Sequence, residues 1–446
     1  MDPILWKWSV NEVVGYAIGL FMCLAFGVYL YTMKRPRWYK RILLLGLFVR
    51  AMASALFIDM MSVYYGGGDF DNYMQHGYRL YNRFLSGGWA EYTDTSYWLH
   101  KSFWGTQVVN YITSVVGIPM LFSMHGLSLL FAILSYIGCI LFAEAFANVF
   151  PRENLRRYLW LVIFMPSLTF WPSVLGKDAL VILGMGMVFL GYSRRSPSYQ
   201  GTRSPWLLIV SGVALIGILR PQVAAIAAIS LGLGYWLSRD RRWTPSRVAA
   251  SLGILVVLGW VSVTGLRMLG VEDVSTQGVS NYVELKAENS GEAYSQSGVA
   301  VNQTTNPIQA IVNSLFRPFI WESGSITLLL SALEILFIWL FVIYRFKNVI
   351  AFFQRHKKSE YLISSMFFIL LYSMGLGMTL ANMGLLVRQR MIMYPALLLV
   401  VSASFVKQHA GSFAIRPAVR SWRRGPSEKM ALNLASRAPI EPATRP

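Results

Sequence analysis

Charge is scarce in this chain and cysteine is nearly absent. Of 446 residues, 14% are charged and 55% are hydrophobic, against roughly 25% charge in an ordinary soluble domain. That balance argues against a soluble enzyme of this size. The two cysteines, Cys23 and Cys139, lie inside apolar runs, which argues against a disulfide framework or a zinc site. No P-loop pattern, no H-E-x-x-H and no G-x-S-x-G elbow occurs. Nucleotide-driven transport within the chain is therefore not expected. No internal repeat is visible.

What the chain has is a recurrence of apolar runs near the length that crosses a bilayer. The first, Val13 to Tyr31, lacks the basic start and small-residue cleavage site of a signal peptide and reads as a span. Basic residues outnumber acidic ones 40 to 21, a net charge of +19. Most sit in short clusters between apolar runs, such as Lys34, Arg35, Arg37, Lys40 and Arg41. This is the positive-inside pattern, not a nucleic-acid surface.

Placing every dense basic cluster on the cytoplasmic side gives an all-α, polytopic membrane protein of about 11 transmembrane helices. The N-terminus is then outside and the C-terminus cytoplasmic. A transmembrane domain covers 1–406, with outer loops at 65–111 and 270–324, and 407–446 forms a basic, disordered cytoplasmic tail. Two pairs of limbs are shorter than a full span. One pair, Tyr158 to Trp171 and Asp178 to Tyr192, is broken by Pro166 and Pro172. The other, Trp206 to Leu219 and Val223 to Leu237, is hinged at Arg220-Pro221-Gln222. Either the bilayer is thinned there or the hinges sit in a water-filled cavity; non-helical backbone at this depth is tolerated where protein or water satisfies it, and the charge at each hinge favours the cavity. The run Val108 to Met124 is interrupted by Pro119 and is expected to be interfacial.

The chemistry centres on Gly66 to Tyr81, GGGDFDNYMQHGYRLY. Three glycines allow a tight turn, and Asp69 and Asp71 follow it. Tyr73, Gly77, Leu80, Tyr81 and Phe84 then recur at helical spacing, which predicts an amphipathic helix at a membrane surface. Against the charge rule, Lys177, Arg220, Arg317, Arg388 and Arg390 fall at or near outer ends of apolar segments. A shared anion, such as a lipid phosphate or diphosphate, explains them. The competing explanation is that each pairs with a carboxylate or snorkels to headgroups. Arg50, deeper in the second span, reads as a structural partner. Asp69 or Asp71 can act as general base, or the pair can hold Mg²⁺ or Mn²⁺. The bland alternative is a turn whose acids cap the next helix. His76 is a possible second base, His125 a packing residue, and Gln222 and Asn382 possible contacts to sugar hydroxyls.

With these residues in hand, the chain resembles the GT-C class of lipid-linked-sugar glycosyltransferases and the bacterial polysaccharide polymerases and ligases akin to them. The resemblance rests on Gly68-Asp69-Phe70-Asp71 with Tyr73, and on Phe170-Trp171-Pro172-Ser173 with Gly176-Lys177-Asp178. Leu219-Arg220-Pro221, Phe316-Arg317-Pro318-Phe319 and Val387-Arg388-Gln389-Arg390 complete it. It implies a polyprenyl-phosphate-linked sugar donor, a glycan or lipid acceptor, and a place in the bacterial inner membrane. The key loop of that class usually follows the first span, and here it follows the second. The rival expectations are a transporter or flippase of an anionic lipid or lipid-linked glycan, and a membrane acyltransferase using His76 or His125.

Overall fold

The computed structural model describes residues 9–87, 105–151, 153–199, 201–202, 204–238, 304, 306–380 and 382–403. Every regular element among these residues is a helix, and they contain no β-strand. The predicted span 248–269 and the tail 407–446 lie outside them, as do most of the second outer loop and the later part of the first.

In chain order, α1 is Val10–Thr32, α2 Arg37–Tyr65, α3 Asp69–Gly87, α4 Thr106–Val116 and α5 Met124–Val149. Then come α6 Leu155–Phe164, α7 Pro166–Phe170, α8 Lys177–Ser193, α9 Trp206–Leu219 and α10 Pro221–Leu237. The last group is α11 Pro307–Phe316, α12 Ile326–Tyr344, α13 Phe346–His356, α14 Glu360–Thr379, α15 Met383–Arg390 and α16 Tyr394–Ala403. Among the described residues, six helices are long and apolar enough to cross a membrane: α1, α2, α5, α12, α14 and the run Met383–Ser402 made by α15 and α16. At 11 residues, α4 reaches about 16 Å, half of a hydrocarbon core. The run after Val108 is therefore too short to span.

The starts and breaks follow from local chemistry. Ser9, Ser123, Ser359 and Asn382 cap α1, α5, α14 and α15 by accepting backbone N–H bonds. Pro166 opens α7 and Pro221 opens α10. Proline has no N–H to give the preceding turn, so each break falls where the sequence placed a hinge. Gly66 ends α2 in a left-handed conformation and Gly67 follows at φ 120°, angles that a side chain would oppose.

The core is α5 packed on α8, with α1 and α2 against α5 and α9 against α8. Close approach there needs missing side chains. A methyl at Gly138 of α5 would sit 2.5 Å from the Ile182 carbonyl, and one at Gly186 of α8 would sit 2.5 Å from that of Gly138. Small residues that let helix backbones touch are the usual means of holding helices together in lipid. Gly77 of α3 plays the same part against Thr113 of α4. On α3, Phe70, Tyr73, Met74 and Gly77 are buried and the opposite face is open, as an amphipathic helix requires.

Several charged groups inside the bundle are held by bonds between helices. Arg50 is 1% exposed and donates to the Leu168 carbonyl at 2.6 Å. It also reaches Ser173 Oγ at 3.3 Å, Ser135 Oγ at 3.4 Å and Cys139 Sγ at 3.3 Å. It thus stands as a structural partner, clamping the broken α7 segment to α2 and α5. Glu334 of α12 accepts from the Ser167 backbone N–H at 3.0 Å and from the Ser167 hydroxyl. A carboxylate there answers the free N–H groups at the start of α7. Glu12 of α1 does the same for α5, accepting from the N–H groups of Met124 and His125 at 2.9 and 3.0 Å. His125 turns its Nδ1 onto Glu12 at 2.7 Å, the packing role read from the sequence.

At the other end of α5 and α8, Glu144 holds Arg35 and Tyr39. Glu153, just before α6, holds Arg355 at 2.6 Å and His356 at 3.0 Å. Burial pushes the Glu153 carboxyl up, but the His356 bond and the Arg355 charge outweigh it and hold the carboxyl below its usual range. A depressed carboxyl adds stability that is present above its unfolded-state pKa and lost as pH falls through its folded-state pKa. Glu153→Gln is therefore expected to lower thermal stability at neutral pH, by about 1–3 kcal/mol for a lost charge-assisted bond. The gap to wild type should close in melts run at acid pH; a gap that does not change with pH would contradict this.

Candidate functional site

Five charged side chains from four parts of the chain converge at the end of the bundle opposite Glu144. Asp178 lies in the first turn of α8 and is buried, its side chain 2% exposed. One of its oxygens accepts from Arg220 at 2.5 Å. The other accepts from Arg388 Nε. Arg388, on α15, also donates through Nη1 to Asp69 at 2.6 Å. The result is a chain of charge, Asp69–Arg388–Asp178–Arg220. Side-chain exposure falls along it from 52% at Asp69 to 18% at Arg388 and 2% at Asp178. Asp69 is its open end.

Each member is placed by its helix. The Gly66–Gly67 turn brings the start of α3 back against the bundle. Arg220 sits on the break between α9 and α10, where its carbonyl accepts from Val223. The N–H of Gly105 reaches the Ile218 carbonyl at 2.8 Å, tying the start of α4 to this break. Lys177 is the first residue of α8 and donates to Thr106 Oγ1 of α4 at 3.2 Å. A cation at a helix N-terminus opposes the macrodipole, whereas Asp178 beside it is favoured. Lys177 is thus in a place that costs energy unless an anion is shared. Three cations face two carboxylates in this cluster. The Nε of Arg220 is buried with no protein partner among the described residues. A positive surplus with a spare buried donor is what a phosphate group would complete.

The other sequence candidates fall elsewhere. Asp71 accepts from the Gly68 N–H at 2.9 Å, so it closes the turn. The structure begins α3 at Asp69, which puts the two acids two residues apart on one helix. Side chains so spaced do not face each other. A metal shared by Asp69 and Asp71, Mg²⁺ or Mn²⁺, does not fit that geometry, and no group of three metal-binding side chains occurs among the described residues. Arg317 pairs with Glu322 at 2.7 Å. Arg390 is fully buried and donates to Ser331 Oγ at 2.8 Å and to the Arg317 carbonyl. These two arginines form a separate network that joins α11, α12 and α15. His76 turns its Nδ1 to the Asn72 carbonyl on the exposed side of α3. Asn382 caps α15 through Gly384 and Leu385. Gln222 is exposed in the first turn of α10.

Sequence reasoning treated Asp178 only as a neighbour of Lys177. Its signal was present: an acid in the first turn of an apolar helix, directly after a Gly-marked break. Fold and site together define a helical membrane protein with a cation-rich, half-buried cluster at one end of its bundle. No family model, curated protein or solved structure matches the chain.

Proposed function

We propose that the chain is a membrane glycosyltransferase or glycan polymerase that uses a polyprenyl-(di)phosphate-linked sugar. The observation that carries this reading is the convergence of Asp69 with Lys177, Arg220 and Arg388, from parts of the chain up to 319 residues apart. The resemblance to GT-C enzymes adds the sugar. In full, the reading has eleven spans, with α6–α7, α8, α9 and α10 as short limbs and 248–269 as a further span. The N-terminus is outside, and the cluster faces the outer side of a bacterial inner membrane, where cell-surface polysaccharide is assembled.

In this reading the donor's phosphate enters beside Lys177 and the guanidinium groups of Arg220 and Arg388. Asp69 accepts from Arg388 through Oδ2, which leaves Oδ1 without a bond among the described residues and, in this reading, turned to the acceptor. The acceptor hydroxyl gives its proton to Asp69 as its oxygen bonds to the sugar's anomeric carbon. The bond from that carbon to the phosphate oxygen breaks. The electron pair leaves with the phosphate, whose growing charge the three cations stabilise.

Asp69→Asn is expected to lower sugar transfer by about 10²–10⁴-fold, the usual worth of a general base. Asp71→Asn should keep most turnover, since asparagine closes the turn as aspartate does. The assay follows label from polyprenyl-linked sugar into glycan in membranes carrying each variant. Full turnover in Asp69→Asn would sink the base role. The broken helices α6–α7 and α9–α10 are also the kind a flippase uses. Product analysis separates the two, because a flippase leaves the lipid-linked sugar intact.

A further inference from the structure

The opposite end of the bundle carries a second feature, independent of the proposed activity. The short helix α13 runs between the spans α12 and α14. Its Val349 and Phe352 are buried against the protein. A different row is formed by Phe346, Ile350 and Phe353, with Phe346 59% and Ile350 39% exposed and Phe353 half-buried. Spacings of four and three put these on one stripe. Lys357 lies four residues beyond Phe353 and continues that stripe past the helix end.

The stripe leads into a groove between α13 and the first half of α14. Phe353 and Lys357 line one wall and Leu362, Ile363, Met366, Phe367 and Leu370 the other. The wall on α14 is a single helical row, and its last member, Leu370, is 46% exposed. The groove is thus apolar along its length and charged at one end. Lys357 and Lys358 are exposed at that end, and Lys347 is exposed at the start of α13. Arg355 and His356, in the last turn of α13, pair with Glu153.

We infer that this groove binds an acidic phospholipid, with an acyl chain along Phe353, Met366 and Leu370 and the phosphate at Lys357. Three observations select that occupant. The groove opens sideways on the outside of a membrane-spanning helix, where acyl chains are the solvent. Its charged end coincides with the basic cluster of the same helix pair. Basic pockets of this kind between spans recognise anionic headgroups, whereas a zwitterionic lipid, whose phosphate is offset by its own ammonium, gains less from Lys357. An amphipathic helix with an apolar stripe and lysines at its edge also lies naturally at the headgroup boundary.

The full chain is purified in mild detergent and titrated with phosphatidylglycerol or phosphatidylcholine, with bound lipid counted by native mass spectrometry. Wild type is expected to retain phosphatidylglycerol in preference to phosphatidylcholine. Lys357→Ala should weaken that binding about fivefold, the worth of one lysine at a membrane surface. Met366→Trp, which fills the groove and keeps the charge, should lower it as well. Lys177→Ala, in the distant cluster, should remove only phosphatidylglycerol held there and leave the share that depends on Lys357 unchanged, which separates this groove from the proposed catalytic site. Equal retention of the two lipids by wild type would overturn the inference. So would a phosphatidylglycerol preference that survives both Lys357→Ala and Met366→Trp.

Discussion

Asp178→Ala is expected to cost about 3–5 kcal/mol of stability, the usual penalty for breaking a buried ion pair by removing one partner. Among the described residues, Asp178 is the only carboxylate bonded to both Arg220 and Arg388, and it is almost fully buried. Without it, Arg220 keeps no acid among its described contacts, and Arg388 keeps only Asp69 at the exposed end. The substitution also removes the carboxylate that suits the start of α8. Desolvation decides the sign: the buried guanidinium of Arg220 and the half-buried one of Arg388 both lose the carboxylate that offsets their charge. Removing Arg220 as well, in Asp178→Ala/Arg220→Leu, should recover part of the loss, since one uncompensated cation has gone. Chemical denaturation in detergent micelles checks this. A single-variant loss under about 1 kcal/mol would contradict it.

The second large effect is expected at Arg50. This side chain has no described carboxylate partner, so its removal frees a costly buried charge, and that alone would stabilise. Three terms oppose it. The Leu168 carbonyl loses its 2.6 Å donor, and an unsatisfied buried polar group costs about 1–3 kcal/mol. Ser173 and Ser135 lose a partner too. Truncation to alanine also leaves a cavity, and cavities from large side chains cost about 2–5 kcal/mol. The opposing terms are larger, so Arg50→Ala is expected to destabilise by about 2–4 kcal/mol. The damage should spread beyond the site of change. Arg50 fixes the segment Leu168 to Ser173, which leads directly to Lys177 and Asp178, so thiol labelling of Lys177→Cys should rise when Arg50→Ala is added. Arg50→Lys keeps the charge without the planar fork and should fall between the two. Wild-type melting of Arg50→Ala, with unchanged labelling, would contradict this account.

Much of the frame was legible in the sequence because its signals are local. Pro166 and Pro221 mark the breaks, and the structure puts α7 and α10 there. The apolar runs that became α1, α2, α5, α12 and α14 need only length and composition. The amphipathic stripe of α3 is a matter of spacing. The site was legible only as two halves. That an acid in an early turn would meet cations late in the chain followed from placing basic clusters on one side, but the pairing itself did not. Asp69 and Arg388 are 319 residues apart, and no local rule couples them. Asp71 looked equivalent to Asp69 because both follow the glycines. Their roles separate once α3 starts at Asp69 and turns the two side chains apart. Arg388 and Arg390 looked like one motif for the same reason, yet they belong to different networks. Glu12 and Glu334 escaped notice because each is a lone acid in an apolar run. Its partner, the free backbone start of another helix, is visible only after folding.

The central claim is that Lys177, Arg220 and Arg388 form one anion site for a lipid-borne phosphate. The most direct measurement compares binding of polyprenyl phosphate with that of polyprenol, which has the same chain and no phosphate, by wild type and Lys177→Ala in detergent. The account predicts that wild type binds the phosphate at least about tenfold more tightly, one charge-assisted bond or more, and that Lys177→Ala loses most of that preference. Equal binding of the two lipids by wild type would contradict it.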